Sequence, residues 1–171
     1  MRIDICTLFP DSVDAMLNVS ILGRAQERGY ITIQSHQIRD YTTNKQMQVD
    51  DYPYGGGRGA VMQADPLYRC WDHIRQTYGP GRTIFLSPCG PTFDQAKARE
   101  LASYDQLILL CDHYEGVDYR VEQYLADETI SIGDFVVTGG EMPAMIITDA
   151  VARMIPGVLG SAGSASDDSF Y

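Results

Sequence analysis

The sequence predicts an α/β protein with a mostly parallel β-sheet and helices on both faces. Three observations lead there. Short apolar runs of strand length alternate with helix-length segments, glycine and proline punctuate the joins, and 44% apolar with 21% charged residues is a globular balance. A length of 171 residues suits one ordinary domain.

The elements follow in order. Ile3 to Phe9 reads as the first strand, and Pro10 with Asp11 opens a helix predicted to run to about Arg28, where Gly29 is placed to end it. Ile31 to Ser35 is a short second strand. Residues 37–64 follow no period and contain Tyr54-Gly55-Gly56-Gly57-Arg58-Gly59, so a long functional loop is expected there. Asp65-Pro66 starts a helix that stops before Tyr78-Gly79-Pro80-Gly81. Then come strand Thr83–Leu86, helix 93–103, strand Leu107–Cys111, helix Asp118–Leu125 and strand-like stretches near 129–138. A last helix, Pro143 to about Ile155, is apolar nearly all round and must be buried, under the sheet or against another subunit. Gly157 to Tyr171, rich in Gly, Ser and Ala, has the composition of a linker.

Charge is unevenly distributed. The chain carries 13 Lys+Arg against 23 Asp+Glu, a formal net charge of -10. Residues 1–82 hold 9 basic and 9 acidic side chains and residues 83–171 hold 4 and 14, so the whole excess lies in the second half. That argues against a protein that coats nucleic acid through a basic face, and suits either simple solubility or a cationic ligand. No apolar run is long enough to span a membrane, and Asp4 interrupts any signal-like start. The cysteines at 6, 70, 89 and 111 form no C-x-x-C pair, which points to thiols in a reducing cytoplasm rather than to a zinc site or disulfide framework.

Chemistry-bearing segments concentrate after strands, where open α/β sheets bind ligands: Leu86 to Gly90, Cys111 to Gly116, and Ser131 to Pro143. Each sets glycine or proline beside polar groups, and three such loops at equivalent strand ends suggest a nucleotide-like pocket. Gly55 to Ala60 can be forced onto a dinucleotide fingerprint, but Asp50 to Tyr54 is no buried strand, so a nucleotide-dependent oxidoreductase is disfavoured. A non-catalytic nucleotide-binding module stays open. His113 has no partner at metal spacing and is expected to be a hydrogen-bonding loop histidine. Asp149 and Arg153 are spaced for an i,i+4 ion pair, and Asp167 and Asp168 for plain solvated charges.

Taken together, several of these residues resemble the bacterial tRNA (guanine-N1)-methyltransferases, members of the trefoil-knotted SPOUT superfamily. They are Leu8-Phe9-Pro10, Asp50-Asp51 with Pro53 to Gly57 and Gly59, Leu86-Ser87-Pro88, Tyr114-Glu115-Gly116 and Ser131 to Asp134. Gly139-Gly140-Glu141 with Pro143-Ala144, Arg153 with Ile155 to Gly160, and Asp168-Ser169-Phe170 complete the set in the family's order. The resemblance implies a deep C-terminal trefoil knot, a homodimer with an active site shared between subunits, and S-adenosylmethionine as methyl donor. It implies methyl transfer to N1 of the guanine 3′ to the tRNA anticodon. By position, Asp112 and Ile132, Gly133, Asp134, Phe135, Val136 and Val137 would line the donor pocket, with Leu86, Pro88, Tyr114, Glu115 and Gly140 near it. Asp168 would be the general base and Arg153 the group facing the charge that builds on guanine O6.

One departure stands out: the family usually has glycine where this chain has Asp112. On this reading residues 1–156 form the knotted donor-binding domain and 157–171 begin an interdomain linker. The family's helical tRNA-gripping domain is absent from this chain, which is therefore expected to bind donor but methylate tRNA poorly. Mg2+ is compatible with the resemblance, although no metal-ligand set is readable.

Overall fold

A computed structural model of the chain describes residues 1–160, 164 and 166–170. Five strands, β1 (Arg2–Thr7), β2 (Thr32–Gln37), β5 (Arg82–Leu86), β6 (Gln106–Leu110) and β7 (Glu128–Ile130), form one sheet in the order β2-β1-β6-β5-β7. All four pairings are parallel. Between β2 and β5, the two-residue strands β3 (Asp50–Asp51) and β4 (Val61–Met62) pair antiparallel as a separate ribbon.

Side chains alternate across the sheet with the two-residue period of a strand. Ile3, Ile5, Ile84, Leu86, Leu107 and Leu109 pack on one face with α1 (Pro10–Leu17), α2 (Ser20–Glu27), α4 (Gln95–Leu101) and α6 (Glu141–Ala152). Cys6, Phe85, Ile108 and Leu110 pack on the other with α3 (Ala64–Tyr78) and α5 (Tyr119–Leu125). Burial on both faces is why the central strands β5 and β6 read as nearly unbroken apolar runs, whereas the edge strand β2 is largely polar and buries only His36.

Several expected boundaries move. The helix expected over Pro10 to Arg28 is two helices, because the chain turns at Asn18-Val19 and Ser20 takes a left-handed φ of 53°. The loop 37–64 holds a 3₁₀ turn at Ile38–Tyr41 as well as the ribbon. Of the strand-like stretch 129–138 only Glu128–Ile130 is strand; beyond it the apolar residues line a cleft instead of pairing. The last helix begins at Glu141 and ends at Ala152. It buries Ala144, Ile147, Thr148 and Val151 but leaves Met142 and Ile146 about half exposed, at 47% and 49%. Within the chain, therefore, it is not covered all round. Of the thiols, Cys6, Cys70 and Cys111 are buried, whereas Cys89 is exposed. Part of the expected linker (161–163, 165 and 171) lies outside the described residues.

After β7 the chain crosses the C-terminal ends of β5 and β6 before entering α6. Ser131 N donates to Pro91 O at 2.9 Å and Phe93 N to Ser131 O at 2.7 Å, which ties the crossing segment to the loop after β5. At its other end Gly140 N donates to Asp112 O at 2.9 Å, in the loop after β6. Backbone meets backbone here, and glycine is what fits. A Cβ on Gly90 would lie 2.8 Å from Ile130 N, and one on Gly140 would lie 2.7 Å from Cys111 Cα.

The opposite end of the sheet is held by a buried charge. Asp4 is fully buried on β1, where Oδ1 accepts from Arg2 Nη2 at 2.7 Å and lies 2.7 Å from His36 Nε2 on β2. Its Oδ2 accepts from Arg2 Nε at 2.8 Å and from Gln106 Nε2 of β6 at 2.9 Å. Burial by itself pushes the carboxyl up, but the hydrogen bonds from His36, Arg2 and Gln106 outweigh it and hold Asp4 below the usual carboxylate range. Its stabilising contribution is therefore present above about pH 4 and is lost as pH falls through the lowered value. Asp4→Asn should cost about 2–4 kcal/mol in urea unfolding at pH 7, and the gap to the parent should narrow as pH drops below about 4. A gap that stays constant with pH would mean that the charge of Asp4 is not what ties these strands.

Candidate active site

The crossing loops enclose a cleft at the C-terminal ends of β5, β6 and β7, the end where open parallel sheets bind ligands. Of the sequence-predicted donor residues, Leu86 and Pro88 come to it from the loop after β5, and Asp112, Tyr114 and Glu115 from the loop after β6. Ile132, Phe135, Val136, Val137 and Gly140 come from the crossing segment. Gly133 and Asp134 are not among its lining residues; Asp134 is exposed, and Gly133 serves the turn, its N–H donating to Ser131 Oγ at 3.1 Å. In the crossing segment the backbone N–H groups of Val136, Val137 and Thr138 donate to no backbone acceptor among the described residues, so they are free to meet a ligand.

The polar floor is acidic. Asp112 is partly buried, and burial with the nearby Glu141 carboxylate pushes it up to about 6. Glu141, the first residue of α6, is positioned by Thr7 at the end of β1, whose hydroxyl donates to Oε1 at 2.9 Å. Its Oε2 lies 3.7 Å from His113 Nδ1. That imidazole nitrogen is buried without a hydrogen-bond partner, contrary to the expectation of a hydrogen-bonding loop histidine. Its ring is instead held by aromatics: Phe9 at 4.9 Å between centroids and Tyr114, edge-on, at 5.1 Å. Tyr114 has a left-handed φ of 61°, and its hydroxyl accepts from Arg39 Nη2 at 3.1 Å across the mouth of the cleft. A bulky residue held in that conformation is the kind of strain found beside ligand sites.

Sequence reasoning passed over Glu141 and Thr7 as site groups. Their contact across the fold, between the first strand and the last helix, sets Glu141 behind the cleft lining, close to Asp112 and His113. Among the described residues no group of three or more His, Cys, Asp or Glu side chains could hold a metal ion. Among the described residues no helix is long and apolar enough to cross a membrane. Gly55 to Ala60 turns the antiparallel ribbon and opens no helix, which removes the context a dinucleotide fingerprint requires.

Arg153 and Asp168 form an ion pair with each other. That replaces the expected Asp149–Arg153 pair and gives Asp168 a partner that a solvated charge would lack. The pair stands at the C-terminal end of α6, whereas the cleft is at its N-terminal end. At a rise of 1.5 Å per residue, Gly140 and Arg153 are roughly 20 Å apart along the axis. The chain does not bring its two predicted catalytic residues to its own cleft.

Fold and site define a parallel-sheet α/β protein that presents an acidic, backbone-rich cleft where three loops cross. Comparison narrows this. The model of the family described as tRNA (Guanine-1)-methyltransferase TrmD matches residues 1–171, and the chain belongs to that family. A tRNA (guanine-N(1)-)-methyltransferase of Desulforamulus reducens is 53% identical over 173 residues, covering 100% of this chain and 68% of that protein. One from Porphyromonas gingivalis is 51% identical over 170 residues, covering 99% and 76%. The crystal structure of tRNA (m1G37) methyltransferase from Aquifex aeolicus superposes with a TM-score of 0.87 at 34% identity, covering 94% of this chain and 72% of that one. The chain is thus a methyltransferase of the tRNA-modifying class.

The raised Asp112 makes stability depend on pH. Its favourable contribution is complete below about pH 4 and is lost as pH rises through about 6, because the folded state then holds a carboxylate it would rather keep protonated. Asp112→Asn does not titrate, so it should gain about 1–3 kcal/mol on the parent between pH 4.5 and pH 8 in urea unfolding. An equal difference at both pH values would refute the assignment.

Proposed function

We propose that the cleft holds S-adenosylmethionine and that a second copy of the chain completes the catalytic centre over it. The residues suit the donor. Asp112 lines the cleft and the Glu141 carboxylate stands close behind it, so a molecule carrying a sulfonium and an ammonium meets negative charge there, and unpartnered backbone N–H groups of residues 136–138 suit the polar edge of an adenine. When bound, the donor supplies an electrophilic methyl group on positively charged sulfur.

The observation that carries the shared-site reading is the roughly 20 Å between the cleft and the Arg153–Asp168 pair. Neither side chain can act on a donor held by its own chain, but a partner copy can bring them there. The surface supports this. Met142 and Ile146 on α6 are about half exposed beside the neighbouring helix α1, where Met16 is 62% exposed. Such an apolar patch suits a two-fold contact between copies of the chain. Threading of the segment 131–140 between the other two loops as a knot belongs to the same reading, supported by the hydrogen bonds that flank it.

The acceptor is N1 of the guanine 3′ to the anticodon, unstacked from its neighbours for reaction. Guanine N1 carries a proton and is a poor nucleophile until it is lost, so a base is required. Asp168 accepts that proton, and Arg153 faces O6, where the negative charge collects. The bond from sulfur to methyl breaks as the bond from N1 to methyl forms, and the bonding pair returns to sulfur.

Mixing two inactive variants tests the shared site in single-turnover tRNA methylation. Asp168→Asn lacks the base, and Gly140→Val fills the loop crossing beside the cleft. In mixed dimers one cleft and one base remain intact and face each other, so activity should return to about a quarter of the parent's, against a loss of at least 100-fold in either variant alone. No recovery on mixing, with mixed dimers present by mass, would place both groups in one chain's site and reject the shared reading.

A further inference from the structure

We infer that Asp112 makes the cleft prefer the charged methyl donor over its demethylated product; this rests on the donor reading given above. The resemblance places glycine at this position, so the side chain is something this chain adds. Asp112 lines the cleft, is only partly buried, and enters no ion pair among the described residues. The groups that face it are Glu141 on α6 and, in its own segment, His113 and Cys111. None is a permanent cation. Glu141 is itself engaged by Thr7, and the imidazole of His113 lies toward Glu141. Among the described residues no Lys or Arg lines the cleft, and Arg39 reaches its edge only through the Tyr114 hydroxyl.

S-adenosylmethionine and S-adenosylhomocysteine differ by one methyl group and one positive charge, located on sulfur. Shape, adenine contacts and amino-acid tail are common to both, so a difference in affinity reports mainly on that charge. A carboxylate a few ångströms from a sulfonium in a half-screened cleft is worth about tenfold in affinity, which the neutral thioether forfeits. The same arithmetic bears on turnover. Once the methyl group has left, the bonding pair on sulfur has neutralised the sulfonium, and Asp112 no longer holds what remains. A glycine at this position has no means of making that distinction.

Calorimetric titration tests this without an activity assay. At pH 8 the parent should bind S-adenosylmethionine about tenfold more tightly than S-adenosylhomocysteine. In Asp112→Asn the ratio should fall to within about twofold, through loss of donor affinity alone, with S-adenosylhomocysteine and adenosine held at parent strength. The parent supplies a second measurement that needs no variant: at pH 5, below the value of about 6 for Asp112, its preference should shrink toward one. An unchanged ratio in the variant, or a parent ratio that does not move between pH 8 and pH 5, overturns the inference while the donor reading stands. A parent that binds none of the three compounds overturns the donor reading, and this inference with it.

Discussion

Three stretches of backbone must pass one another at the C-terminal edge of the sheet, and the rest of the molecule depends on their doing so at van der Waals distance. Gly90 and Gly140 are the points of closest approach, where any side chain would meet main-chain atoms. Because the loops pass so closely, Ser131 can bond to Pro91 and Gly140 to Asp112. Those bonds hold the crossing segment over the strand ends, make the walls of the cleft, and deliver α6 to the far side of the sheet. Wider loops at the same strand ends would leave a shallow groove and a last helix without a fixed start.

Electrostatics follows from this geometry. The acidic excess of the second half is partly spread over solvent-facing helices, but Asp112 and Glu141 are brought together beneath the cleft. A carboxylate placed there is uncomfortable when ionised, and a cation relieves it. Toward the start of β1, Asp4 is more deeply buried yet has Arg2, His36 and Gln106 around it, and its carboxyl is lowered rather than raised. The contrast separates a charge satisfied by its protein neighbours from one that enters no ion pair among the described residues.

Much of the architecture was legible from periodicity. Leu107 to Leu110, Thr83 to Leu86 and the first strand are apolar runs too short for helices, and Asp65-Pro66 is an unambiguous helix start. Local pattern failed where tertiary contacts decide. Apolar residues at 132–137 resemble a strand but line a cavity, and the break at Asn18-Val19 has no proline or glycine to announce it. The three loops of the site could be named because they follow strands. That Thr7 positions Glu141, or that Arg153 turns away from Asp149 toward Asp168, depends on which elements meet in space, and no local spacing encodes it. The whole-chain charge was the least informative reading, since a tRNA substrate coexists with a net charge of -10.

The contact between Thr7 and Glu141 spans 134 positions, nearly the whole chain. Its consequence concerns time rather than shape. The first strand emerges from synthesis long before the helix that completes its site, and β1 reaches its neighbour β6 only after a hundred further residues. Contacts this distant are formed late and slowly, with loop entropy lost before the packing that offsets it. A nascent chain therefore has no partly built cleft: its walls are complete only when residues 131–140 cross the strand ends and α6 docks.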